Sequence, residues 1–183
     1  MTVETTTRDK AQATDKAIQI VFPVTVNPVP KVLVIHCADV RFRRAFRSFI
    51  EGKAETGCLG LREEDYVNLI IPGGIASLTD ILALPKQFKV TKEQIEFLLE
   101  HFPSITTVVL INHEDCAAYK MIKDHVGRSF LRNVSSMLER QKFDLVAVAK
   151  QALKLGNAST FKLYMASFTN PAHTKVRFEE VTL

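Results

Sequence analysis

Two short motifs hold the residue types in this chain that do chemistry. Cys37, with Asp39 and Arg41 beyond it, directly follows one apolar run, and His113-Glu114-Asp115-Cys116 directly follows another. Two thiols and an imidazole form a soft-to-borderline donor set of the kind zinc favours. Structural zinc sites usually close with four protein donors, whereas a site supplied with three keeps a position for water or substrate. An acid two residues from a thiol, and an arginine two further on, are what a reactive site needs beside a metal.

These residues have to be positioned by the elements around them. Val32-Leu33-Val34-Ile35, Val67-Asn68-Leu69-Ile70-Ile71 and Thr107-Val108-Val109-Leu110-Ile111 are short, β-branched and nearly continuous in apolarity, as strands buried on both faces are. Pro72-Gly73-Gly74 stops the second run, and Gly73 and Gly74 read as a tight turn that also lines a pocket wall. Phe42, Ala45, Phe46, Phe49 and Ile50 make a helical stripe, and Arg43, Arg44 and Arg47 lie mostly off it as a solvated face rather than a nucleic-acid surface. The capping-box pattern Thr91 to Gln94 predicts a helix start at Thr91, running to about Phe102. A longer helix is expected from about Ser129 to Leu155, stopped near Gly156-Asn157. Phe161 to Phe168 and Lys175 to Val181 read as strands joined through Asn170-Pro171. Strands alternating with helices imply an α/β domain, with a mainly parallel sheet of order about 2-1-3-4 and an antiparallel edge.

The totals bound the reading. The 183 residues suffice for one domain with its own core, and 46% apolar with 24% charged residues is ordinary globular composition. A net charge of +4 is too small to argue for nucleic acid. Three cysteines do not suit a disulfide framework, and they fit a reducing, cytoplasmic setting. No apolar run approaches a membrane span or a leader, so no membrane partner is expected. Residues 1–16 read as a flexible tail or arm, and residues 17–183 as a single α/β zinc-binding domain.

In an open parallel sheet, sites form beyond the carboxyl ends of strands at the switch point. Cys37 and His113 each sit two residues past an apolar core, so neighbouring strands would bring Cys37, His113 and Cys116 to one crevice. A helix beginning after Cys116 would favour its thiolate form.

Cys37-Ala38-Asp39-Val40-Arg41 resembles the Cys-x-Asp-x-Arg motif of the β-class carbonic anhydrases, and His113-Glu114-Asp115-Cys116 resembles their His-x-x-Cys. The likeness in order and spacing covers about Lys31 to Lys120, with Ile70 to Gly74 where that family has its glycine-containing loop. It implies one zinc per chain, bound by Cys37, His113 and Cys116. Asp39 and Arg41 would be the catalytic pair: Arg41 holds Asp39 away from the metal, and Asp39 closes the site when that pair breaks. Zinc-bound hydroxide would then attack carbon dioxide to give bicarbonate. The resemblance also implies a homodimer or an even-numbered oligomer, with Ile18 to Val26 at the interface. The chain departs from the family at Ala117, where glycine is usual, at Val40, and in its apolar Ile71-Pro72-Gly73-Gly74 loop. These changes leave room for another small electrophile or for a non-catalytic zinc-binding homologue.

Three other readings compete. A closed structural site would recruit Cys58 or His36. His36-Cys37-x5-Arg43 also matches the bare pattern of cysteine-dependent phosphatases. That loop has no glycine to let amides converge on phosphate, and Asp39 would repel a dianion. An ordinary surface ion pair is the plain reading of Asp39 and Arg41.

Overall fold

The computed structural model of the chain describes residues 23–79, 85–131, 134–152 and 158–183. The expected tail over 1–16, the apolar stretch up to residue 22 and the Gly156-Asn157 helix stop lie outside the described residues.

The three continuous apolar runs become the parallel strands β1 (Val32–Cys37), β2 (Tyr66–Ile71) and β3 (Thr107–His113). β4 (Thr160–Phe168) joins β3 in parallel, and β5 (Val176–Val181) closes the edge antiparallel to β4. The five-stranded order is β2-β1-β3-β4-β5, so the strands ending in the two motifs are central neighbours. Position in the sheet explains their composition: β1 is covered on both faces, while β2 at the edge leaves Asn68 and Ile70 exposed. The β4–β5 connection is held by Asn170, whose side-chain oxygen accepts the N–H groups of Thr174 (3.0 Å) and Lys175 (3.3 Å).

Alternation along the central strands divides the core into two layers. Leu33, Ile35, Val108 and Leu110 pack with Ile95 and Leu99 of α2 (Pro85–His101) and Leu145 and Val148 of α4 (Met137–Ala152). Val34, Val109 and Ile111 face the other way, onto Phe46, Phe49 and Ile50 of α1 (Arg43–Glu51). The α1 stripe is buried as its spacing requires, and Arg43, Arg44 and Arg47 are exposed. A third cluster caps the carboxyl ends of β1 and β3, joining Cys37 and Ala76 to Cys116, Tyr119 and Ile122. The last three lie on, or at the start of, α3 (Ala117–Val126).

Two helix boundaries differ from expectation. α2 is already helical at Pro85, six residues before Thr91. Thr91 lies inside that helix, buried, with its hydroxyl 3.0 Å from that of Ser77. Proline suits a first helical turn, and a capping pattern read without its upstream turn mistakes an interior threonine for a start. The expected helix from Ser129 is also broken. Gly127–Leu131 is a tight 3-10 turn, and α4 starts only at Met137. There Ser136 Oγ accepts the Glu139 N–H (3.2 Å), while the Glu139 carboxylate accepts the Ser135 N–H (2.7 Å). Ser136 thus caps the first turn of α4, and Glu139 reaches back to the residue before it.

Candidate metal centre

Each strand runs on to its own candidate ligand, two residues further than the apolar cores suggest. Cys37 is the last residue of β1 and His113 the last of β3, and the parallel pairing of the two strands sets them side by side. Past His113 the chain must turn sharply to bring Cys116 back. Glu114 first extends the ladder, its N–H donating to Ala166 O (2.8 Å). Asp115 then takes a left-handed conformation (φ 61°), which aspartate tolerates better than most residues. Cys116 follows as the residue before α3. One sulfur, one ring nitrogen and a second sulfur come to lie within 4.8 Å of one another, all three residues buried. Among the described residues this is the group of three or more such side chains able to hold an ion.

The β2–α2 connection seals the crevice from one side. Gly73 (φ 86°) and Gly74 (φ 56°) both need the left-handed region. A Cβ on Gly74 would lie 3.2 Å from the Cys37 nitrogen, and one on Gly73 would lie 2.6 Å from the Ala118 Cβ. What the structure shows of this pair is close packing against both motifs.

His113 Nδ1 lies 2.9 Å from Glu114 O, so its N–H donates to that carbonyl and Nε2 carries the lone pair. Nε2 is buried without a hydrogen-bond partner. An orphaned buried acceptor beside two thiols is what a cation would satisfy, so the residues present fit zinc. The ring is wedged against Phe42 (centroids 4.4 Å apart), and Gln141 Nε2 donates to His113 O (2.8 Å) from α4. Tyr119, fully buried, accepts from Asn112 Nδ2 (2.9 Å) just behind.

The thiols share a hydrogen bond, which divides their proton affinities. Cys37 is lowered, chiefly by that bond, with the Asp39 N–H also directed at its sulfur. The Cys116 thiol is pushed up by the same bond and by burial. The N–H groups of Ala118 and Tyr119 at the start of α3 pull the other way but do not prevail. Those two N–H groups favour the Cys116 thiolate, as expected of the helix terminus, while the shared hydrogen bond and burial oppose it.

Asp39 and Arg41 pair as their spacing suggests. Arg41 Nε donates to both Asp39 oxygens (3.1 and 3.2 Å) and Nη2 to Oδ2 (2.7 Å), which holds the Asp39 carboxyl below its usual range. The surprise is Asp115. Its Oδ2 accepts from Arg41 Nη1 (2.8 Å), its carbonyl from Nη2 (3.1 Å), and Lys120 contacts its other oxygen. These cations lower the Asp115 carboxyl to about 2. Asp115, Phe42, Gln141 and Tyr119 carried no signal as site residues, because each reaches the cluster only through tertiary contact.

The competing ligands stay apart. His36 Nδ1–H donates to Cys37 O (2.9 Å), and its ring packs on Phe46 (4.6 Å), on the α1 side of the sheet. Cys58 is a free, half-buried thiol near Thr56 (3.4 Å). Arg43 is exposed on α1, so no phosphate cradle forms around Cys37. A cleft of about 440 Å³ lies elsewhere, between the β2 edge and α2, lined by Ile70, Pro72, Lys86, Val90 and Gln94. No helix among the described residues is long and apolar enough to cross a membrane.

No family model matches the sequence. No curated protein matches it either. Solved structures do. The carbonic anhydrase from Streptococcus mutans is similar over 87% of this chain and 88% of its own, with 13% identity and a TM-score of 0.50. The β-carbonic anhydrase CafA of Aspergillus fumigatus aligns at 14% identity, covering 85% of this chain and 77% of its own, with a TM-score of 0.47. The carbonic anhydrase from Glaciozyma antarctica aligns at 16% identity, covering 85% of each chain, with a TM-score of 0.46. At 13% identity the likeness to the Streptococcus mutans structure speaks for the fold alone. With its 2-1-3-4-5 sheet and antiparallel edge, the chain is β-carbonic anhydrase-like in architecture.

Proposed function

We propose that the protein is a zinc-dependent lyase of the β-carbonic anhydrase type, hydrating carbon dioxide to bicarbonate. The observation that carries this reading is the unpartnered, buried Nε2 of His113 between the thiols of Cys37 and Cys116, with the Asp39–Arg41 pair alongside. Zinc held by those three side chains would supply a Lewis acid that makes water nucleophilic at neutral pH.

The chain's own residues do the rest. Glu114 O fixes the His113 tautomer, and Phe42 and Tyr119 keep water from the buried side of the cluster. Arg41 keeps Asp39 ionised, so Asp39 offers an acceptor to a reacting water on the exposed side and orients its lone pair towards the substrate carbon. One C–O bond forms as one C=O π bond opens to the bicarbonate oxyanion, and the water's O–H breaks with its proton passing to solvent, so no oxidation state changes.

The test is zinc content and carbon dioxide hydration in one preparation. About one zinc per chain, with hydration abolished in Cys37→Ser and Cys116→Ser and strongly reduced in Asp39→Asn, is the expected result. Never-stripped protein without a transition metal would overturn the reading. A second reading is favoured by the apolar Ile71-Pro72-Gly73-Gly74 loop: a zinc protein of this fold that turns over another small electrophile, or none. Zinc at one per chain without hydration selects it. Self-association into a homodimer or an even-numbered assembly belongs to the main reading, and a monomer by gel filtration at micromolar concentration counts against it.

A further inference from the structure

We propose that Asp115 is a positioning residue, the second anchor of Arg41, which fixes the guanidinium so that Asp39 stays turned away from the Cys37–His113–Cys116 cluster. The inference rests on the zinc reading of that cluster. Arg41 comes from the first motif and Asp115 from the second, 74 residues apart, so their contact spans the two halves of the site.

The guanidinium divides its donors. Its Nε and Nη2 edge serves Asp39, Nη1 serves the Asp115 carboxylate, and Nη2 also reaches the Asp115 carbonyl. The two carboxylates therefore use different N–H groups and do not compete for them. Arg41 is 45% exposed at its side chain, so its pairing with Asp39 alone would be a screened surface contact between a flexible side chain and a carboxylate. The two-pronged contact fixes the guanidinium relative to Asp39 only, and the contact with Asp115 fixes that pair relative to the second motif. The left-handed turn at Asp115 aims both its carbonyl and its carboxylate at Arg41, and Lys120 balances the added charge. Asp39 itself is not among the side chains grouped at the cluster, consistent with an arginine that holds it back.

Asp115→Asn is the informative variant, since asparagine also tolerates the left-handed backbone and keeps the side-chain shape. Cobalt(II) replaces zinc in the full chain. A thiolate-to-cobalt charge-transfer band reports binding, and the visible d–d bands on adding azide report an open coordination position. Wild type should respond to azide. Asp115→Asn should keep the charge-transfer band yet need at least about tenfold more azide, because the released Asp39 takes the open position. Asp39→Asn combined with Asp115→Asn should restore the wild-type response, which a merely structural Asp115 would not predict. An unchanged azide titration in Asp115→Asn overturns the proposal. So does a wild type that binds cobalt but ignores azide, since Asp39 would then be a ligand with Asp115 in place. Absence of the charge-transfer band in wild type is a different failure, of the metal reading itself.

Discussion

The carboxyl ends of β1 and β3 and the cleft at the β2 edge are both concave, and they are built in opposite ways. The cleft holds about 440 Å³, and its walls are mostly apolar, with Ile70 and Val90 each 52% exposed. The strand-end crevice is nearly closed, yet it collects two thiols, an imidazole with an orphaned nitrogen, and a guanidinium shared by two carboxylates. Volume locates where a molecule could rest. Unsatisfied buried acceptors locate where an ion could bind, because leaving them unpaired costs about 1–3 kcal/mol each.

If that contrast holds, the two regions respond differently to perturbation. The largest effect is on metal removal: with free zinc at about a thousand times its Kd, chelation should lower the unfolding free energy by about 4 kcal/mol, read by denaturant titration with and without chelator. No change would erase the distinction between crevice and cleft. Next comes Gly74→Ala. It meets the Cys37 backbone and forces alanine into a left-handed conformation, costing about 1–2 kcal/mol and weakening zinc binding. Competition with a chromophoric chelator measures the second effect, and unaltered zinc affinity would mean that the glycine loop does not shape the site. Gln141→Leu should follow, since losing the donor to His113 O loosens the ligand from behind, with zinc affinity falling by about tenfold. The smallest effect is expected in the cleft. Ile70→Ser and Val90→Ser should each stay within about 0.5 kcal/mol of wild type and leave zinc binding alone. A large loss of zinc there would tie the cleft to the site after all.

The parts legible in the sequence are those with one-dimensional signatures. β1 and β3 stood out because central parallel strands are apolar on both faces, and Cys37 and His113 were noticeable because chemistry-bearing residues there fall at strand ends. The Asp39–Arg41 contact is local, two residues apart, and was readable for that reason. Helix starts were less legible. The Thr91 pattern sits inside α2 and packs on Ser77, while Ser136 and Glu139, which do cap α4, were read as helix interior. A four-residue pattern cannot say whether the turn before it is already helical.

The amino-acid sequence by itself determined the strands, the donor atoms and the pairing of Asp39 with Arg41, since each depends on residue type and short spacing. Only the tertiary structure decided that the thiols of Cys37 and Cys116 share a hydrogen bond, that Phe42 and Gln141 brace His113, and that Asp115 shares Arg41. The physical reason is distance along the chain. Desolvation and hydrogen bonding act on neighbours in space, and β1 and β3 become neighbours only once the sheet has formed around them.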